Sequence, residues 1–353
     1  MINDQDASLN PVFPRGLRVL VSGAAGYIAS HTCVELLNAG HEVAGFDNLS
    51  NSSRRSIDRV RELAGKPLRF ELLDLLDKPG LTSLLKEGFD AVIHFAGLKS
   101  VAESVEKPEL YRRNNVEGSA NLIAAMKAGG CRRLIFSSSC TVYGEVKRNP
   151  VDETHLRAAV NPYGGTKLAV EDMCFALGRS EPDWHIALLR YFNPVGAHAS
   201  GLIGEDPRGI PNNLMPFVMQ TAVGRRDKVR VYGGDYPTPD GTGVRDYIHV
   251  VDLARGHLAA LANIDAFAGA EAVNLGAGRG YSVLEMIAAA SKAVGRSIPY
   301  ELVARRPGDA AAVWADAALA KRKLGWSVAL GLEDMCRDHW RWQKNNPNGY
   351  ADQ

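Results

Sequence analysis

The apolar run Leu17-Arg18-Val19-Leu20-Val21 leads into Gly23-Ala24-Ala25-Gly26, and a helical pattern begins directly behind it. Ile28, Thr32, Leu36 and Ala39 recur at helical spacing, with Gly40 at the end. A short β-branched run closed by glycines reads as a buried strand, and apolar residues every three or four positions read as an amphipathic helix. A strand joined to a helix by a glycine turn is the opening half of a βαβ unit, whose right-handed crossover sets the next strand parallel to the first. The pattern then repeats. Strand-like runs fall at residues 41–46, 68–73, 91–95, 134–137 and 186–191, with helical patterns around 81–86, 111–128 and 162–177. This alternation predicts an α/β fold, a doubly wound parallel sheet covered by helices on both faces. A flexible tail is expected over residues 1–16, which hold Pro11 and Pro14, and a Rossmann-like domain over 17–192. A smaller C-terminal α/β domain is expected over 193–353, because residues 193–243 are rich in Gly, Pro, Asn and Asp before strand and helix signals resume after Arg245. Segments around 245–275 are candidates to return to the larger sheet.

The 353 residues suffice for two such units. Lys and Arg number 41 against 40 Asp and Glu, a net charge of +1. Such a balance offers no field to attract nucleic acid or an anionic membrane. The five cysteines (Cys33, Cys131, Cys140, Cys174, Cys336) are scattered and contain no Cys-x-x-Cys, which argues against a disulfide framework or a zinc ribbon. The nine histidines show no metal-ligand spacing, so no metal is expected. His94, on an apolar run, reads as a core histidine, and Trp340 and Trp342 as packing residues. No apolar run is long enough to span a bilayer. The polar start Met1-Ile2-Asn3-Asp4-Gln5-Asp6 lacks the order of a secretory signal, and a cytoplasmic protein is expected.

Gly23 and Gly26 would allow a tight turn and close approach of a pyrophosphate to the helix N-terminus, where free N–H groups and the dipole favour anions. The spacing is G-x-x-G-x-x-A, with Ala29 where a third glycine packs in the commoner motif. Asp47 ends the second strand, where a carboxylate would hold both hydroxyls of an adenosine ribose and repel a 2′-phosphate. These features together predict an NAD site. Tyr163 and Lys167 stand four apart at the start of a helical pattern and so share one face. Ser139 closes the run Ser137-Ser138-Ser139 at a strand end, the edge at which α/β sheets present ligands. The serine would share a hydrogen bond with a substrate hydroxyl. A nearby ammonium and a positive nicotinamide would lower the phenol toward working pH, making a base for an alcohol proton.

With these motifs in view, the chain resembles the extended short-chain dehydrogenase/reductase family, and within it the enzymes that invert C4 of UDP-hexoses. The matching runs span most of the chain, and two long loops are specific to that group. One is Arg190-Tyr191-Phe192-Asn193-Pro194-Val195-Gly196-Ala197-His198, and the other is Ile210-Pro211-Asn212-Asn213-Leu214-Met215-Pro216. The resemblance implies Ser139, Tyr163 and Lys167 as the catalytic trio. It implies NAD contacts from Gly23, Gly26, Tyr27, Ile28, Asp47, Asn48, Leu49, Ser50, Asn51, Ser52, Asp74 and Leu75, and around the far half from Phe95, Ala96, Gly97, Leu98, Lys99, Asn114 and Phe192. UDP-sugar contacts are implied for Lys99, Asn193, Asn213, Leu214, Arg230, Val231, Tyr232, Arg245, Arg306, Asp309 and Val313, which makes 193–353 the UDP-sugar-binding domain. The guanidinium forks of Arg245 and Arg306 would also suit a diphosphate on chemical grounds.

The implied activity is an isomerase of galactose metabolism, interconverting UDP-galactose and UDP-glucose through a transient 4-keto sugar with tightly bound NAD. A homodimer is likewise implied. Val313 stands where the family has either a bulky tyrosine or a smaller residue, and its small size implies room for UDP-GlcNAc and UDP-GalNAc. Cys140 replaces the usual alanine and is expected to be inert. A nucleotide-sugar dehydratase is disfavoured, because Cys140-Thr141 occupy the place of its added acid/base pair. A non-catalytic NAD sensor is disfavoured because the trio is kept.

Overall fold

The computed structural model describes residues 16–306 and 309–350. Residues 1–15 of the expected tail lie outside the described residues. The strands, in chain order, are β1 (Arg18–Ser22), β2 (Glu42–Asp47), β3 (Arg69–Leu72), β4 (Ala91–His94), β5 (Arg133–Ser139), β6 (His185–Tyr191) and β7 (Asn193–Val195). They continue with β8 (Val229–Tyr232), β9 (Val244–Arg245), β10 (Tyr247–His249), β11 (Gly269–Leu275), β12 (Tyr281–Ser282), β13 (Tyr300–Val303) and β14 (Ala312–Val313). One sheet has seven strands in the order β11-β6-β5-β4-β1-β2-β3. All its pairings are parallel. The chain winds outward from β1 through β2 to β3, then returns to β4 and winds the other way. The direction therefore reverses between β1 and β4, and the crevice beyond the carboxyl ends of those two strands is where such a sheet takes ligands.

Period-two packing explains why β1 sits at the centre. Val19 and Val21 enter the core on one face, together with Cys33, Leu36 and Leu253. Leu20 enters the core on the other face, with Phe46, Val92, Leu134 and Phe136. All three β1 side chains are fully buried, and each such aliphatic contributes roughly 1.5–3 kcal/mol. Helix Tyr27–Asn38 packs on helix Val250–Ala262 over the first of these faces. β11, from the later part of the chain, forms the edge of the sheet beside β6.

The remaining strands form three small sheets: β10-β7, β12-β9-β14 and β13-β8. A third core packs Met215, Val218, Met219, Met286, Ile287, Met335 and Cys336 together. These side chains come from helices Leu214–Ala222, Val283–Val294 and Leu332–Asn345.

The expected helix over 111–128 is divided. Arg112–Glu117 is a wider π turn, and the α-helix proper is Gly118–Ala128. π turns redirect side chains relative to the helix that carries them. Here Asn115 is turned onto the loop after β4: its Oδ1 accepts from Leu98 N at 2.8 Å and its Nδ2 donates to Leu98 O at 2.9 Å.

Candidate active site

A single elongated cavity runs along the carboxyl edge of β1, β2, β4 and β5. Its floor is the glycine turn. Gly23 has φ +67°, and a Cβ there would come within 2.8 Å of Ala96 N, so only glycine lets the loop after β1 meet the loop after β4. Gly26 is the N-cap of helix Tyr27–Asn38, with no side-chain capping bond and no acidic residue in the first turn. That leaves the helix start, with its partial positive charge, to whatever occupies the cavity.

At one end Asp47 is buried and ties together the parts around it. Its carboxylate accepts from Ala25 N at 3.1 Å, Leu49 N at 2.8 Å and Ser52 Oγ at 2.9 Å. Burial raises its carboxyl, and these hydrogen bonds pull the other way. Two ionised oxygens offer about four acceptor sites, so capacity for a ligand remains. Asn48 donates to Asp74 at 2.7 Å on the same rim. Arg208 reaches across to the carbonyls of Ser50 (3.4 Å) and Ser52 (2.6 Å).

At the other end lie Ser139, Tyr163 and Lys167, all lining the cavity. Helix Pro162–Ser180 is started by Asn161, whose side chain accepts from Gly164 N at 2.8 Å, with Pro162 at its first position. That start puts Tyr163 in the first turn and Lys167 one turn on, facing the end of β5. Lys167 Nζ donates to Ser137 O at 2.7 Å and lies 4.8 Å from the centre of the Phe136 ring. Burial lowers Lys167 to about 8, against the attraction of Glu171. Glu171 is itself neutralised by Arg190, which holds both its oxygens at 2.8 and 2.6 Å. Ser139 Oγ accepts from Thr141 Oγ1 at 3.0 Å.

The phenol of Tyr163 departs from the sequence expectation. Burial raises it, the neighbouring Tyr191 adds to the rise, and the hydrogen bond with Ser139 opposes it. The expected lowering by a nearby ammonium does not appear, because burial outweighs it and the chain's own surroundings favour the neutral phenol. The Cys140 thiol is pushed up to about 12 by burial, in keeping with an inert residue.

Of the expected cofactor residues, all but Leu49 line this cavity. Leu49 has φ +58°, and its side chain turns back against the core. Of the expected sugar-nucleotide residues, Lys99, Ser139, Tyr163, Asn193 and Asn213 line the cavity. The others do not line it. The Arg306 guanidinium lies 3.8 Å from the centre of the Tyr232 ring, and Arg245 faces Asp309 at 3.5 Å. Val313 pairs with Arg245 and packs against the small core that holds Phe192, a residue that does line the cavity. Arg230 turns outward to Glu301 at 3.3 Å, while Val231 and Leu214 pack in the third core.

Several lining residues were assigned no site role in the sequence reading: Thr141, Tyr191, Glu205, Asp206, Arg208 and Tyr350. Thr141 and Tyr191 adjoin motif residues and were within reach of the sequence, but the others arrive through distant loops. His94 is satisfied in the core by Ser22 at 2.6 Å and Ser119 at 2.8 Å. Trp342 is a buried packing residue whose indole donates to Glu205 O at 3.2 Å.

The sequence profile of the NAD dependent epimerase/dehydratase family matches residues 19–276. The chain belongs to that family. Family members similar to it include UDP-glucose 4-epimerase of Bacillus subtilis, 55% identical over 95% of this chain and 99% of the relative. The human UDP-glucose 4-epimerase is 54% identical, again over 95% and 99%. Among solved members, a UDP-glucose 4-epimerase of Stenotrophomonas maltophila with bound NAD and formylated UDP-arabinopyranose superposes with a TM-score of 0.92 at 49% identity, covering 94% of this chain and 99% of that one. The enzyme of Bifidobacterium longum in complex with NAD+ and UDP gives 0.91 at 51% identity, with 94% and 99% covered.

Proposed function

We propose that this chain is a UDP-glucose 4-epimerase, interconverting UDP-galactose and UDP-glucose with tightly bound NAD. The observation that carries the reading is one continuous cavity with an uncapped helix start at its floor, the Asp47 carboxylate at one end, and Ser139, Tyr163 and Lys167 at the other. The residues fit a dinucleotide. The glycine floor has no side chain to obstruct a pyrophosphate, and the orphan N–H groups of Tyr27–Asn38 suit its charge. Asp47 suits a ribose with free hydroxyls. When bound, NAD supplies a reversible two-electron acceptor for the sugar C4, so no outside redox partner is consumed.

The chain's own residues carry the proton work. Tyr163 takes the proton of the sugar 4-hydroxyl, and Ser139 hydrogen-bonds the same oxygen and the phenol. Lys167 brings a charge that favours phenolate, and because its carrier nitrogen is anchored to Ser137 O it cannot swing away. Burial that keeps the phenol neutral in the ligand-free chain withholds the base until the site is filled. The oxidised 4-keto sugar must then present its other face, which requires a pocket that grips the nucleotide and leaves the hexose loose. Arg245 and Arg306 are proposed for the diphosphate, Tyr232 for the same end, and Val313 for the wall beside the hexose. A small side chain there supports acceptance of UDP-GalNAc and UDP-GlcNAc as well.

We further propose a homodimer working in the cytoplasm. No helix among the described residues is long and apolar enough to cross a membrane. Sedimentation at two protein concentrations tests the dimer. The activity is tested by mixing purified protein with UDP-galactose, adding no NAD, and following UDP-glucose. Steady interconversion is expected, and no product even after NAD is supplied would overturn the reading.

A further inference from the structure

Glu205 is 4% exposed, lines the cavity and was given no role in the sequence reading. Its Oε1 accepts from Lys99 Nζ at 2.9 Å and from Asn213 Nδ2 at 2.8 Å. Its Oε2 is buried and has no partner within the chain. Lys99 follows β4 on the cofactor side, whereas Asn213 begins helix Leu214–Ala222 on the other side. One carboxylate therefore ties together two cavity-lining side chains separated by more than a hundred residues of sequence.

Asn213 shows what this tie displaces. It occupies the N-cap of its helix, where an asparagine ordinarily accepts a bond from the first turn, yet it makes no such bond. A carboxylate only accepts, so Asn213 must turn its amide nitrogen to Glu205 and keep its carbonyl oxygen for another donor. The fold forgoes a cap to fix the orientation of one amide. Oε2 is out of reach of solvent, so the bonds of Oε1 to Lys99 and Asn213 are what hold this carboxylate in place.

We infer that Glu205 is a positioning residue of the epimerase site: it orients Lys99 and Asn213 through Oε1. The inference rests on the functional reading above. Glutamine in its place keeps the size and one acceptor oxygen but removes the charge, so the Lys99 ammonium is held less firmly. The test is steady-state epimerisation of UDP-galactose by the holoenzyme, for wild type, E205Q, K99M and the double variant, with thermal midpoints for each.

A loss of ground-state positioning is expected to raise KM roughly tenfold in E205Q while kcat and the thermal midpoint stay close to wild type. Because Glu205 acts in part through Lys99, adding K99M to E205Q is expected to change KM by no more than about threefold further. A KM for E205Q within twofold of wild type, or losses that multiply in the double variant, would overturn the inference. If E205Q does not fold, K99M, N213A and their combination carry the same test, because both donors share one acceptor and multiplied losses again overturn it. An inactive wild type would remove the functional reading itself, a result distinct from an active wild type with an indifferent E205Q.

Discussion

Replacing Lys167 by methionine should strengthen the fold while ending catalysis. Lys167 is buried at the end of the cavity and its ammonium is lowered from an ordinary 10.5 to about 8 by loss of water. At about 1.4 kcal/mol per pKa unit, holding that charge in the fold costs about 3 kcal/mol at neutral pH. Methionine fills a similar length, is neutral, and rests favourably against the Phe136 ring. The substitution also leaves Ser137 O without its donor, at a cost of roughly 1–3 kcal/mol. The net expectation is a K167M protein about 1–2 kcal/mol more stable than wild type at pH 7.

The pH dependence makes the reasoning sharper. Below about pH 8 the lysine holds its proton in both the folded and unfolded chain, so the difference between variant and wild type is constant. Between about 8 and 10.5 the unfolded chain binds a proton that the folded chain does not. Wild-type stability then rises relative to K167M by about 1.4 kcal/mol per pH unit, and the two should cross near about pH 9. Urea unfolding followed by circular dichroism, on protein stripped of nucleotide and at several pH values from 7 to 9.5, measures this directly. A K167M protein less stable than wild type at pH 7 would refute the argument. So would a gap that stays constant across the range.

Three other outcomes are expected. Y163F keeps the ring and removes the hydroxyl, so kcat should fall by about 10²–10⁴-fold with bound NAD unchanged by absorbance of the denatured supernatant. G23A forces a Cβ to within 2.8 Å of Ala96 N at φ +67°; it should cost roughly 1–3 kcal/mol in thermal unfolding and lower the NAD retained after dialysis. V313Y adds a ring against the small core that holds Phe192. Turnover of UDP-GalNAc, expected in wild type, should be lost in this variant while UDP-galactose turnover remains, as read by chromatography of the products.

The glycine floor and the shared face of Tyr163 and Lys167 were legible from the chain alone because their geometry is local. The positive φ of Gly23 and the uncapped helix behind Gly26 follow from a few consecutive residues between a strand and a helix. Tyr163 and Lys167 share a face because one helical turn separates them, and Asn161-Pro162 specify where that helix begins. The charge state of Tyr163 was not legible. It depends on how completely the surrounding elements exclude water, which no spacing records.

Glu205, Arg208 and Tyr350 line the same cavity, yet none belongs to a pattern with a period. Glu205 matters through a bond to Lys99 across 106 residues, and Tyr350 closes on the same wall by receiving Asp206 as the acceptor of its own backbone N–H at 2.7 Å. Likewise, β11 pairs in parallel with β6 at the edge of the sheet, a return from the later half that the sequence offered only as a candidate. Short-range sterics and apolar periodicity thus determined the sheet, the glycine turn and the helix that carries Tyr163 and Lys167. Which distant loops close over them, which carboxylate orients which donor, and which groups lose their water were decided by tertiary packing. Those outcomes depend on through-space distances between segments whose separation along the chain carries no physical signal.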